Sequence, residues 1–286
     1  MPGNSERQRR RARERYEHAQ ELRRQRRQKV KRWSGVGLAV VVVIGLAAGL
    51  TAAFAGGSPK SAAASKPKAT ASASPTSSTA SVKEPATHCD YKKSGTAAKP
   101  VSLPPAAPNY KAAYTATINT NLGKIGINLL NSKATCTVNS FVHLADANFW
   151  NNSQCHRVSD SGGLYMLQCG DPTATATTKL SCSSASTVGT GTPGYEFASE
   201  NLTGATYKAG TVAMANSGTA DSNGSQFFLV FKNTSLPASY TPFGTITAGL
   251  DILQNVAKAG TTCAYSAGGG VPKEKVVIKS VTIKQS

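Results

Sequence analysis

Alternating apolar and polar residues predict most of the regular structure in the second half of the chain. The stretch YTATINTNLGKIGINLL (114–130) alternates on both sides of the residues 121–123, which predicts two strands joined by a hairpin turn. The sequence also predicts strands at TVAMAN (211–216), SQFFLVF (225–231) and KVVIKSVTIK (275–284). Many short strands with few helices indicate an all-β barrel or sandwich.

Two segments have the apolar spacing of an amphipathic helix. The first, over about 136–147, has an apolar face made of Val138, Phe141, Val142 and Ala145. The second, over about 249–258, has an apolar face made of Leu250, Leu253, Val256 and Ala257. Gly260 follows it as a C-terminal glycine, which is typical of a helix end.

A third apolar pattern is continuous rather than periodic. Residues 35–55 form a run of 21 residues without a charge, long enough to cross a bilayer as a helix. We therefore predict a transmembrane helix over 34–55. Ala53-Phe54-Ala55 has the form of a signal-peptidase site, so cleavage after this run stays an alternative.

The net charge of +18 divides equally between two parts of the chain. Residues 1–33 carry 13 Lys and Arg against four Glu, and the remaining 253 residues carry 19 against ten Asp and Glu. A basic segment directly before an apolar run places the N-terminus in the cytoplasm and the rest of the chain outside. This distribution disfavours nucleic acid as a partner. Beyond Arg32 the chain contains a single arginine, Arg157.

The composition predicts four parts: a basic cytoplasmic segment (1–33), the membrane helix, a disordered low-complexity linker (56–108) and a folded domain (109–286). All six cysteines follow the apolar run, which suits disulfides in an oxidising compartment. Six cysteines allow 15 complete pairings, and spacing alone does not choose among them. The four histidines are scattered and no CxxC occurs, so we predict neither a metal site nor a cofactor.

Two short motifs have simple structural explanations. The segment 189–194 fits GxGxxG, but no strand leads into it, no helix follows, and it contains Pro193. We interpret it as a turn-rich loop. Cys155 and His156 are adjacent on a predicted strand and point to opposite faces, so they do not form a nucleophile–base pair.

Three sequence blocks together resemble the cyclophilin family of peptidyl-prolyl cis–trans isomerases. The first is Cys155-His156-Arg157-Val158 followed by Tyr165-Met166-Leu167-Gln168-Cys169-Gly170-Asp171, which resembles FHRV…FMxQGGD. The second is Met214-Ala215-Asn216 with Asn223-Gly224-Ser225-Gln226-Phe227-Phe228, and the third is Phe243-Gly244. The resemblance covers about residues 112–284. The combination with a membrane segment and extra cysteines resembles the extracytoplasmic cyclophilins of actinobacteria.

The resemblance implies an eight-stranded antiparallel barrel capped by two α-helices, with the active site on the outside of the barrel. It implies that Arg157 is the catalytic residue. The implied substrate-binding residues are Tyr165, Met166, Gln168, Ala215, Asn216, Gln226, Phe228, Leu236 and Tyr240. The partners would be proline-containing segments of unfolded or exported proteins. A proline-binding module without catalysis on the same fold is the alternative.

Several positions depart from the family pattern. Tyr165 replaces the usual Phe, and Ser235 or Leu236 stands where the family has a tryptophan. We therefore expect weak binding of cyclosporin, strengthened by a larger apolar residue at position 235. Cys155 and Cys169 lie on consecutive strands of the resembling hairpin, so a disulfide between them is one expected pairing. The insertion 173–188 contains Cys182, which we expect to be tied by another disulfide.

Overall fold

The architecture is taken from a computed structural model, which describes residues 85–183, 186–219, 221–266 and 268–286. The predicted basic segment, the transmembrane helix over 34–55 and residues 56–84 of the predicted linker lie outside the described residues and stay predictions. In the part of the chain that is described, no helix combines the length and apolar character needed to cross a membrane.

The described residues form thirteen strands and two helices. The strands are β1 (Lys92–Lys93), β2 (Tyr114–Thr120), β3 (Lys124–Leu129), β4 (Ser153–Gln154), β5 (Arg157–Ser161), β6 (Leu164–Cys169), β7 (Tyr195–Glu196), β8 (Thr211–Met214), β9 (Phe227–Val230), β10 (Pro242–Ala248), β11 (Thr261–Ala264), β12 (Gly270–Pro272) and β13 (Val277–Gln285). The helices are α1 (Thr135–Asp146) and α2 (Leu250–Ala259), each within one residue of its predicted range.

The β2–β3 hairpin follows from its alternating sequence. Ile118 of β2 lies opposite Ile125 of β3, and both side chains are buried. Gly123 in the turn has a φ of +136°, a conformation that side-chain-bearing residues rarely adopt. The predicted hairpin is therefore confirmed, with one apolar face directed into the core.

Eight of the strands form a continuous antiparallel sheet in the order β5-β6-β9-β8-β10-β3-β2-β13. A single extended segment, residues 153–161, brings the two ends of this sheet together. Its first residues in β4 pair with β13, and its last residues in β5 pair with β6. The eight-stranded barrel-like sheet with two helices that the sequence resemblance implied is thus confirmed.

The helices cover the barrel by packing their apolar faces on it. α1 packs against β13, and α2 packs against β5, β6 and β12. The ring of Phe141 on α1 lies 4.7 Å from that of Trp150, 5.7 Å from that of Phe227 and 5.2 Å from that of Phe243. These buried aromatic rings form the centre of the core.

Residues 89–106, which we call the strap, bind to the barrel ahead of its first long strand. A disulfide joins Cys89 to Cys136 on α1, and β1 pairs with β7. The Nζ of Lys99 donates to the carbonyl oxygens of Phe149 (2.9 Å) and Asn151 (3.0 Å). The predicted linker extended to residue 108, but the strap contributes to the folded domain, because these contacts hold it against the barrel.

Tyr91 anchors the strap. Its hydroxyl donates to the carbonyl oxygen of Cys136 at 2.7 Å and accepts from the Asn139 amide at 2.8 Å. Its ring lies 5.7 Å from that of Tyr195 and 5.6 Å from that of Phe197 in edge contacts. Burial raises the pKa of Tyr91 well above its ordinary value, so the hydroxyl stays protonated.

We expect Tyr91→Ala to lower the free energy of unfolding by about 3–4 kcal/mol, because it removes a buried ring and leaves its hydrogen-bond partners unpaired. Urea unfolding followed by the fluorescence of the buried Trp150 measures this change. Leu103→Ala is the matched control, since Leu103 lies in the same strap with its side chain 40% exposed. It should cost less than about 1 kcal/mol. Equal effects of the two substitutions would contradict the anchoring role of Tyr91.

Candidate active site

Arg157 begins β5 and lies directly opposite Gln168 of β6 in the antiparallel register. The two side chains meet across the pair: Nη1 of Arg157 donates to Oε1 of Gln168 at 3.3 Å. The amide nitrogen of Gln168 in turn donates to Oε1 of Gln226 at 3.1 Å. This row of hydrogen bonds orients both amides, since each one donates in one direction and accepts in the other.

The loop 189–194 fixes the far end of this row. Nε2 of Gln226 donates to the carbonyl oxygens of Gly189 (3.1 Å) and Gly191 (3.0 Å). The carboxylate of Asp171 accepts from the backbone N–H groups of Gly189 and of Thr173 and holds the loop in place. The segment that fits GxGxxG is therefore an irregular loop, as predicted, and its carbonyl groups position Gln226.

An apolar cavity of about 260 Å³ opens beside Arg157. It is lined by Arg157, Leu164, Met166, Gln168, Ala215, Asn216, Phe228, Leu236 and Tyr240. Met166 and Phe228 are buried and belong to a cluster separate from the barrel core, on the outer side of the sheet. The cavity thus combines an apolar floor with a cationic edge.

Tyr207 shapes one wall of the cavity. Its hydroxyl donates to the carbonyl oxygen of Tyr240 at 2.8 Å and accepts from the N–H of Tyr240 at 3.0 Å. Its ring lies 6.1 Å from that of Phe228. The sequence analysis did not identify Tyr207, because it lies outside the resembling blocks.

Eight of the ten predicted site residues line this cavity, and the other two do not. Gln226 lines an adjoining cavity of about 420 Å³, which shares Gln168, Ala215 and Asn216 with the first. Leu164, which was not predicted, lines the first cavity. Residues 94–95 of the strap line the adjoining one. The predicted domain boundary placed residues 94–95 in the linker, so the sequence analysis did not identify them.

Tyr165 is placed differently from the prediction. Alternate residues of a strand point to opposite faces, and Leu164, Met166 and Gln168 occupy the face with the cavity. Tyr165 packs against the barrel core, and its ring lies 6.4 Å from that of Phe231. Its backbone N–H donates to the Thr234 hydroxyl.

The residues that follow β8 form hydrogen bonds within the protein. β8 ends at Met214, and the N–H of Ala215 donates to the carbonyl oxygen of Gln226 at 2.9 Å. The side-chain amide of Asn216 donates to the carbonyl oxygen of Ser239 at 2.8 Å. Both residues line the two cavities, but these donors are already bound within the protein.

Of the two residues expected where the family has a tryptophan, Leu236 lines the cavity. Ser235 does not line the cavity, and its backbone N–H donates to the carbonyl oxygen of Gly163 at 2.8 Å. The apolar wall at this point therefore consists of an aliphatic side chain.

Three disulfides account for all six cysteines: Cys89–Cys136, Cys155–Cys169 and Cys182–Cys263. The expected pairing of Cys155 with Cys169 and the tying of the 173–188 insertion are both confirmed. Cys155 carries no free thiol, which agrees with our rejection of a nucleophile at this position. Across the described ranges, no three His, Cys, Asp or Glu side chains are grouped so that they could hold a metal ion.

Burial dominates the electrostatics of the site. It lowers the pKa of Arg157 from its ordinary value, and the nearby Tyr240 and Tyr265 oppose the shift. An arginine has so high a pKa that it stays cationic at neutral pH. Burial also lowers the pKa of His156 to about 4, while Asp171 opposes the shift and Arg157 adds to it. His156 is therefore neutral at pH 7, and Arg157 carries the positive charge.

The family model described as cyclophilin type peptidyl-prolyl cis-trans isomerase/CLD matches residues 115–283. A probable peptidyl-prolyl cis-trans isomerase B of Mycobacterium leprae (strain TN) is 42% identical over 212 residues, covering 68% of this chain and 66% of the relative. The protein of the same name from Mycobacterium tuberculosis (strain CDC 1551 / Oshkosh) is 41% identical over 215 residues, covering 68% and 64%.

The chain thus spans just under two thirds of the length of these curated relatives. Among solved structures, the crystal structure of a Cryptosporidium parvum cyclophilin type peptidyl-prolyl cis-trans isomerase has a TM-score of 0.48 at 24% identity. It covers 61% of this chain and 99% of that chain. The family model and the mycobacterial relatives confirm the resemblance to actinobacterial cyclophilins.

We expect acid to destabilise the protein between the ordinary histidine pKa of 6.5 and about 4, because the unfolded chain there binds a proton that folded His156 does not. From pH 7 to pH 4 this group should lower the free energy of unfolding by on the order of 3 kcal/mol. Denaturant unfolding at a series of pH values measures the slope. The His156→Gln variant cannot take up the proton and should show a shallower slope. Parallel slopes would contradict this assignment.

Proposed function

Because the chain belongs to the cyclophilin-type peptidyl-prolyl cis–trans isomerase family, we propose that it accelerates rotation about X–Pro bonds in polypeptides. The observation that carries this proposal is the guanidinium of Arg157 at the edge of an apolar cavity. A proline ring fits an apolar cavity, and the adjoining peptide bond would then lie beside the cation. The substrates we propose are proline-containing segments of unfolded or exported proteins.

Rotation about an X–Pro bond crosses a barrier of about 18–20 kcal/mol, because it breaks the amide resonance. In the twisted amide the proline nitrogen regains its lone pair and becomes a better acceptor of hydrogen bonds. A fixed cationic donor therefore stabilises the transition state more than the planar ground state. We assign that role to Arg157, whose orientation is supported by its hydrogen bond to Gln168. This chemistry requires no nucleophile.

Met166, Phe228 and Leu236 would hold the proline ring, and Tyr240 would close one side of the cavity. The adjoining cavity would receive another part of the same polypeptide, since the two cavities share Gln168 and Asn216. Cyclosporin binding, if the same cavity accepts it, should be weak, because Leu236 offers less apolar area than a tryptophan.

The three disulfides support a location in an oxidising compartment. Together with the basic segment and the apolar run, they support a protein anchored in the cell membrane. In this proposal the N-terminus is cytoplasmic and the isomerase domain is extracytoplasmic.

We expect Arg157→Ala to lower kcat/KM for a proline-containing peptide by about 100-fold or more, because it removes the cationic donor. Arg157→Lys should keep the charge but lose the planar fork, and so retain an intermediate activity. A protease-coupled isomerisation assay measures these rates, with Lys258→Ala on the exposed side of α2 as the control at wild-type rate. Wild-type rates equal to the uncatalysed background would favour the non-catalytic binding module instead.

We expect alkaline phosphatase fused after Ser286 to be active in intact cells, because that enzyme needs an oxidising compartment. Deleting the 21 residues 35–55 should abolish the activity. Deleting 21 residues from the low-complexity segment, 61–81, is the matched control and should leave it intact. An active fusion without residues 35–55 would overturn the proposed topology.

A further inference from the structure

Between β11 and β12, the described residues 265–266 and 268–269, which we call the β11–β12 turn, contact Arg157 and the residue before it. Nε of Arg157 donates to the carbonyl oxygen of Gly268 at 2.8 Å. The hydroxyl of Tyr265 donates to the carbonyl oxygen of His156, the residue before the arginine, at 3.2 Å. The turn therefore binds both the guanidinium and the backbone that carries it.

Two acceptors from different segments fix the plane of the guanidinium. Oε1 of Gln168 accepts from Nη1, and the carbonyl of Gly268 accepts from Nε. The donors of a guanidinium lie in one rigid plane, so these two contacts set the direction of the whole group. Weakening either contact gives the guanidinium more freedom to turn away from the cavity.

The turn approaches β5 closely. At Gly269, which has a φ of +66°, a Cβ atom would collide with the carbonyl oxygen of Val158. Within the turn, the N–H of Tyr265 donates to the carbonyl oxygen of Gly269 at 2.8 Å. The described residues of the turn therefore pack against the strand that begins with Arg157.

Few backbone pairs connect β11 and β12, the strands that flank the turn, to the rest of the barrel. β11 is the last strand in the sheet order, and β12 pairs with β5 through the single residue pair Gly270–Val158. A disulfide from Cys263 of β11 to Cys182 supplies a covalent tether across 81 residues of sequence. Such a bond restricts the motion of an edge strand that few ladder hydrogen bonds restrain.

We propose that the β11–β12 turn is a positioning element for Arg157, and that the Cys182–Cys263 disulfide and Tyr265 hold it in place. The inference rests on the proposed function, since it concerns the residue that would act on the substrate. Tyr265 and the two cysteines act through Arg157 and do not line the cavity that would hold proline. Loosening the turn should therefore affect turnover more than substrate binding.

Two full-length variants test the proposal. Tyr265→Phe removes the hydrogen bond to His156, and Cys182→Ser with Cys263→Ser removes the tether. Each should lower kcat by about tenfold with KM within about twofold, because a small displacement of a catalytic group weakens its contact in the transition state. The paired variant Cys89→Ser with Cys136→Ser is the matched control. It removes a disulfide of the strap and should leave kcat near the wild-type value.

The Nε–H resonance of Arg157 in ¹⁵N NMR supplies a readout that does not depend on activity. Its assignment follows from its loss in Arg157→Lys. In the wild type it should exchange slowly with water, because Nε is hydrogen-bonded to Gly268. In both test variants it should exchange at least about tenfold faster and shift towards the resonances of solvated arginines.

Unchanged kcat and an unchanged Nε–H resonance in both variants would overturn the proposal and leave the proposed function standing. An equal loss of kcat in the control pair would also overturn it, because general loss of stability would then explain the effect. If the wild type shows no isomerase activity, the proposed function fails and the Nε–H exchange alone decides whether the turn holds Arg157. If the Cys182/Cys263 pair variant does not fold, Tyr265→Phe decides.

Discussion

A guanidinium held half-buried beside an apolar cavity is the interaction on which the site depends. Burial opposes a charge, and this cost appears in the lowered pKa of Arg157. The hydrogen bonds to Gln168 and Gly268 go to uncharged oxygens, which solvate the cation without neutralising it. A carboxylate at either place would stabilise the cation more strongly but would cancel the charge that a twisted amide would meet.

Uncharged acceptors are weaker than carboxylates, so their positions have to be fixed by the surrounding structure. Gln168 is held by the strand register and by Gln226, which the carbonyl groups of the 189–194 loop orient. The Asp171 carboxylate sits one step further away, where it binds the backbone of that loop. The Asp171 carboxylate thus supports the row of amides and not the arginine directly.

Local patterns predicted the parts of the molecule whose partners are close in sequence. The β2–β3 hairpin and both helices followed from alternation and helical spacing, and Arg157 and Gln168 came from one resembling block. The resemblance placed Tyr165 in the cavity, although the alternation that aims Met166 outward also aims Tyr165 inward.

The sequence analysis did not identify the strap, because it follows a low-complexity segment and only Cys89 and Tyr91 suggested that it is folded. The contact of Arg157 with Gly268 joins residues 111 positions apart, and no local pattern encodes such a contact.

The barrel and the site share the same strands, so the register of these strands determines both the core and the site. On β9, Phe227 and Leu229 pack in the barrel core, and Phe228 and Val230 belong to the cluster behind the cavity. A slip of one residue would exchange these two sets and would also separate Arg157 from Gln168. The disulfide between Cys155 and Cys169 lies next to that pair and is compatible with only one register of β5 on β6. The same covalent bond therefore fixes the core face of the hairpin and the partner of the arginine, since both depend on one alignment of two strands.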